Sequence, residues 1–114
     1  MAANTLVASA ARTVTGSSAA IAVGSGAATL ELELEVTVAT GTSPTLVLSV
    51  QWSDDGTNFG NNDASADAFA SVAAVGNVTK SIPVRAPYMQ LTWTIGGTTP
   101  SFTFSVIDVA SNVI

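Results

Sequence analysis

With 114 residues, 47% of them hydrophobic and only 10% charged, the chain has enough length and apolar content for one domain with a real core, and the wrong composition for a disordered segment. Three basic against eight acidic side chains leave a net charge of −5, which excludes the Lys/Arg cluster that nucleic acid binding requires. Cys and His are both absent, so disulfides, thiolate zinc sites and the commonest general base are excluded as well.

Residues 1–28 are rich in Ala, Ser, Thr and Gly and read as an N-terminal arm with edge strands at Arg12–Thr15 and Ala19–Val23, separated by Gly16-Ser17-Ser18. Leu6, Val7, Val14, Ile21 and Val23 are too apolar for a plain tail. Leu6, Val7 and Arg12 are therefore candidate contacts to a partner, the alternative being a partly ordered terminus. No Lys or Arg precedes the first apolar stretch, so a signal peptide is not expected. No run approaches the roughly 20 apolar residues of a membrane-spanning helix, and no membrane partner is expected.

Leu30-Glu31-Leu32-Glu33-Leu34-Glu35-Val36-Thr37-Val38 alternates without a break, placing the aliphatic side chains on one face of a strand and the three glutamates on the other. Carboxylates about 7 Å apart along a strand, with no His, Cys or basic neighbour, read as a solvated face rather than as acid–base or metal chemistry. Glu31, Glu33 and Glu35 remain candidates for meeting a basic surface on another chain.

Gly41-Thr42-Ser43-Pro44 follows as a turn, and then a strand sets Leu46, Leu48, Val50 and Trp52 on its core face. That strand ends at Ser53-Asp54-Asp55-Gly56-Thr57-Asn58, where Asp-Gly suits a tight turn. Calcium held by Asp54, Asp55, Asn58 and Asp63 is the weaker reading, because the terminal bidentate Glu of an EF-hand loop is missing. Residues 60–68 form a loop, and residues 65–75 suit either a helix capped by Ser65 or Asp67 or, preferably in this all-β setting, an irregular strand. Val78–Val84 is a strand with Pro83 near its end, as at a sheet edge. Met89, Leu91, Trp93 and Ile95 form another core face. A second turn, Gly97-Thr98-Thr99-Pro100, leads to the core face of Phe102, Phe104 and Val106. Ile114, in the tail 110–114, is a candidate contact to the domain or a neighbour.

The stretch Gly41–Val50 returns 56 positions later as Gly97–Val106, each copy preceded by an alternating strand. Two related hairpins predict an all-β fold: an antiparallel β-sandwich of about seven or eight strands, jelly-roll-like or Ig-like, over residues 29–109. No nucleophile has an adjacent base, and the glycine-rich stretches lack the helix and lysine of a phosphate-binding loop, so neither an enzyme nor a cofactor is expected.

Val50-Gln51-Trp52-Ser53-Asp54-Asp55-Gly56-Thr57-Asn58-Phe59, Ile82-Pro83-Val84 with Arg85 to Tyr88, and Leu91 to Val106 together resemble the small β-sandwich structural proteins of tailed bacteriophages. The resemblance covers about residues 30–107, and it departs at Tyr88-Met89-Gln90-Leu91, where such proteins usually carry an arginine. It implies a virion structural protein assembled in the host cytoplasm, foremost a capsid decoration protein bound to the major capsid protein and able to form homo-oligomers. The alternatives it leaves open are a carbohydrate-binding adhesion module of a tail or head fibre, using Ser53–Phe59 and Gly60–Ala68, and a head–tail or tail-tube component.

Overall fold

A computed structural model of the chain describes residues 4–23, 29–60 and 67–109. It is all-β and antiparallel, with seven strands in one hydrogen-bonded sheet: β1 (Asn4–Arg12), β2 (Gly16–Ser17), β3 (Ile21–Ala22), β4 (Thr29–Ser53), β5 (Asp67–Ala68), β6 (Gly76–Pro83) and β7 (Tyr88–Asp108). Residues 67–75 form no helix: β5 pairs with Ser49 and Val50, Val72 forms a single bridge to Leu46, and the chain bends at residues 74 and 75, so the expected strand is reduced to these short contacts. Residues 65 and 66 and the tail with Ile114 lie outside the described residues.

The two Gly-Thr-Ser/Thr-Pro segments do not close hairpins. Each lies inside a long strand, and the strands flanking it pair with the flanks of the other copy, from Leu32↔Asp108 through Thr42↔Thr98 to Ser53↔Tyr88. The physical reason lies in the backbone. Gly41 and Gly97 have φ of +116° and +113°, and Ser43 and Thr99 have φ of +49° and +46°, so each segment bends its strand without reversing it. The register slips between Thr40 and Thr42 and again between Thr42 and Thr45, with one extra residue first on β7 and then on β4.

These bends double the sheet over. At about 3.3 Å per residue the 25-residue β4 would run roughly 80 Å if straight, whereas the longest molecular extent is 42 Å. Trp93 and Phe104, on opposite sides of the bend in β7, meet edge to face with ring centroids 5.5 Å apart. One layer thus holds β1, the second half of β7, the first half of β4, and β6; the other holds β2 and β3, the first half of β7, the second half of β4, and β5.

The alternation read from the sequence fills the space between the layers. Leu30, Leu32, Leu34, Leu46, Leu48, Val50, Ile82, Met89, Leu91, Phe102, Phe104 and Val106 are fully buried in one core cluster. The halves are related by a local pseudo-twofold. Thr42 and Thr98 occupy equivalent places in the repeat and pair with each other, and the pairs Thr45↔Gly96, Leu46↔Ile95 and Val47↔Thr94 correspond to Ser101↔Thr40, Phe102↔Ala39 and Thr103↔Val38. A further slip between Val36 and Val38 ends this correspondence. It absorbs the one-residue difference between the copies, in which Val38 lies three residues before Gly41 but Ile95 only two before Gly97.

The N-terminal segment belongs to this domain. β1 pairs with the end of β7, with register shifts between Thr5 and Val7 and between Val7 and Ala10, and Val7 is buried in the core at 4% exposure. Gly16-Ser17 pairs with Trp93 and Thr92 as a strand, and Gly16 leaves room for the indole, which a Cβ would approach to 3.0 Å. Arg12 closes the side of the core near this point. Its guanidinium lies 4.8 Å from the Trp93 ring centroid and 4.5 Å from that of Phe104, and donates to the carbonyls of Ala8, Ala10 and Phe104 at 3.0 Å each. Burial pulls its pKa below the ordinary value for arginine. Arg12→Ala is expected to lower unfolding stability by about 2 kcal/mol in urea, with Arg12→Lys recovering less than half, because an ammonium lacks the planar fork that reaches three carbonyls while lying over two rings.

Candidate interaction surface

The three candidate glutamates lie side by side on the outer face of the first layer. Glu31, Glu33 and Glu35 stand opposite Ser81, Thr79 and Asn77 of β6 on one side, while Glu33 and Glu35 stand opposite Ile107 and Ser105 of β7 on the other. All three are half-buried at the residue level. The Ser81 hydroxyl lies 2.9 and 2.7 Å from the two Glu31 carboxylate oxygens. None of the three basic side chains faces this row. Arg12 is at the side of the core, Arg85 pairs with Asp67, and Lys80 stands opposite Leu32, on the other face of β6. A ladder of hydroxyl and amide groups around three carboxylates presents an acidic, hydrogen-bonding surface with no cation of its own.

β6 borders that surface. It pairs with β4 over all eight residues without a register shift, and among the described residues its other side has no strand partner. Every residue of β6 except Ile82 is exposed, including Lys80 and Val78, whose pairing partners Leu32 and Leu34 are buried. The opposite layer ends in the two-residue β5. The edges are therefore unlike, β1 being broken by bulges and β6 regular.

Of the other candidate contacts, Val7 is turned into the core, Arg12 is bound within the chain, and Leu6 is partly buried against the core cluster. The loop Ser53–Phe59 is built by its own side chains. The Asp55 carboxylate accepts from the backbone N–H of Thr57 and Asn58, both at 2.9 Å, and from the Asn58 side-chain amide at 3.0 Å, and it lies 2.7 Å from the Ser53 hydroxyl. Those bonds, led by the one from Asn58 N–H, hold its pKa well below the usual carboxylate range. Asp55 thus serves the turn. Asp63 lies outside the described residues, and among these no three carboxylates gather as a metal site would require.

A cluster that the sequence did not single out joins the edge of the second layer to its centre. Asp67, 6% exposed, accepts from the Trp52 indole N–H at 2.7 Å and from Arg85 through Nε at 2.8 Å and Nη2 at 3.1 Å. The hydrogen bond from Arg85 is the largest cause of its lowered pKa, followed by the opposing effect of burial. Trp52 is a core filler, as its alternation indicates, with a polar handle as well. Asp, Trp and Arg are each visible in the sequence, but their meeting is not, with Asp67 lying 15 positions from Trp52 and 18 from Arg85.

Compared with known protein families, with curated proteins and with solved structures, the chain finds no match.

Proposed function

We propose that this protein is a structural component of a phage virion, a capsid decoration protein that binds the major capsid lattice and bridges its subunits. The observation that carries the reading is the resemblance of Val50–Phe59, Ile82–Tyr88 and Leu91–Val106 to small structural proteins of tailed phages. The surface described above is consistent with it. A chain with few charged residues, whose regular edge strand has no strand partner beyond β4 among the described residues and borders an uncompensated acidic row, suits many copies of a modest contact better than a pocket for a small substrate. Each copy would cover a seam between subunits, so that shell stability would rise with occupancy. Mixing the purified protein with expanded, undecorated capsids is expected to give co-sedimentation at a fixed ratio and a higher capsid disruption temperature. Absence of capsid binding, or reproducible sugar binding on a glycan array, would remove this reading in favour of an adhesion module.

A further inference from the structure

We infer that β6 is a docking edge for an extended, basic segment of a partner protein, added to the sheet as a further strand with its Lys or Arg side chains over the Glu31–Glu35 row. The backbone supplies the first part of the argument. In an antiparallel ladder about half of an edge strand's N–H and C=O groups point away from its partner, and β6 keeps eight residues in unbroken register to present them. Natural edges are usually blunted by bulges, inward charges or short length. β1 has the bulges and β5 has the short length, whereas β6 has only Lys80 and the terminal Pro83.

The occupant follows from charge. A strand beyond β6 would lie about two strand spacings, roughly 10 Å, from β4. The residues between are Asn77, Thr79 and Ser81, whose short side chains leave the carboxylates within reach of long basic ones leaning across. None of the residues outside the described segments is Lys or Arg, so no segment of this chain provides that complement. A second copy pairing through its own β6 would bring a second glutamate row of the same sign and no cation for either. A partner strand with basic residues at alternate positions satisfies edge and row together. The inference does not depend on the capsid reading, because any assembly could supply such a segment.

The test uses the full chain labelled with 15N and an acetylated, amidated octapeptide of alternating Lys and Val. Binding is expected to slow hydrogen exchange at least tenfold at the β6 amides that point away from β4. The effect should weaken with salt and fall by about tenfold in affinity in the Glu31→Gln/Glu33→Gln/Glu35→Gln variant, as the sum of three exposed charge pairs. The Glu–Val peptide, and a Lys–Val peptide N-methylated at alternate amides, should give no protection. Equal binding by the Glu–Val peptide, protection elsewhere than β6, or no loss in the glutamine variant would overturn the inference. So would protection, in the free protein, of those β6 amides that point away from β4, whether independently of concentration, as for a covering segment of the same chain, or with rising concentration, as for a second copy. Peptide binding without capsid binding would reject the capsid reading and leave this one standing.

Discussion

Gly97→Ala and Gly41→Ala are each expected to destabilise the protein by about 3 kcal/mol or more, lowering the melting temperature by roughly 10–20 °C. Two effects add at each site. A Cβ on Gly97 would lie 2.8 Å from the Ser43 carbonyl oxygen, 2.9 Å from Pro44 Cα and 3.0 Å from the Thr42 carbonyl oxygen. A Cβ on Gly41 meets the same surroundings in the other copy, at 2.9 Å from Pro100 Cα, 2.9 Å from the Thr99 oxygen and 3.0 Å from the Thr98 oxygen. These neighbours are backbone atoms, which cannot rotate aside, and the positive φ at both glycines penalises any L side chain. The clashes are reciprocal, so the double variant should depart from additivity, because either methyl alone already forces the crossing strands apart. Gly60→Ala is the control. No atom lies within 4 Å of a Cβ there, and the change should stay within about 0.5 kcal/mol. Calorimetric melts of the wild type and the four variants decide the matter, and Gly41 and Gly97 variants melting with the wild type would refute the mutual packing of the two bends.

Asp67→Ala is expected to cost about 3 kcal/mol, since it strands the buried Trp52 N–H and frees Arg85, whereas Asp67→Asn, which still offers an acceptor to Trp52, should cost about half as much. The pH dependence has a definite sign. The folded-state pKa of Asp67 lies below its ordinary value, so its contribution is fully present above the unfolded pKa of about 3.9 and is lost as pH falls through the folded value. The stability gap between wild type and Asp67→Asn in urea should therefore be flat from pH 7 to about 5 and shrink below about pH 4. Asp55 is shifted in the same direction but is common to both proteins, so it cancels in the difference. A gap that widened with acid would contradict the ion pair.

Local pattern carried much of the fold. The alternations at Leu30–Val38, Leu46–Trp52, Met89–Ile95 and Phe102–Val106 identify strands and their buried faces because period two is a property of the strand itself. Over 67–75 the all-β surroundings favour a strand over a helix, and the segment forms no helix, but only Asp67–Ala68 and the single bridge at Val72 pair with the sheet. Pairing was the weaker inference. Gly-Thr-Ser-Pro suits a reversal as well as a bend, and only the contact of one copy with the other distinguishes them, which is information 56 positions away.

The candidate surface divides in the same manner. Glu31, Glu33 and Glu35 were legible as one outward row, because three residues on one strand share a face whatever that strand pairs with. Arg12 looked available in the sequence, yet its guanidinium is committed to three carbonyls and two rings that come from β1 and both halves of β7. By itself the sequence determined an acidic all-β domain, its core residues and its internal repeat, all of which depend on composition and short-range period. The tertiary structure alone decided that the repeats cross as bent strands, that Asp67 gathers Trp52 and Arg85, and that β6 is, among the described residues, a regular edge with no second strand partner, since each depends on which distant backbones meet.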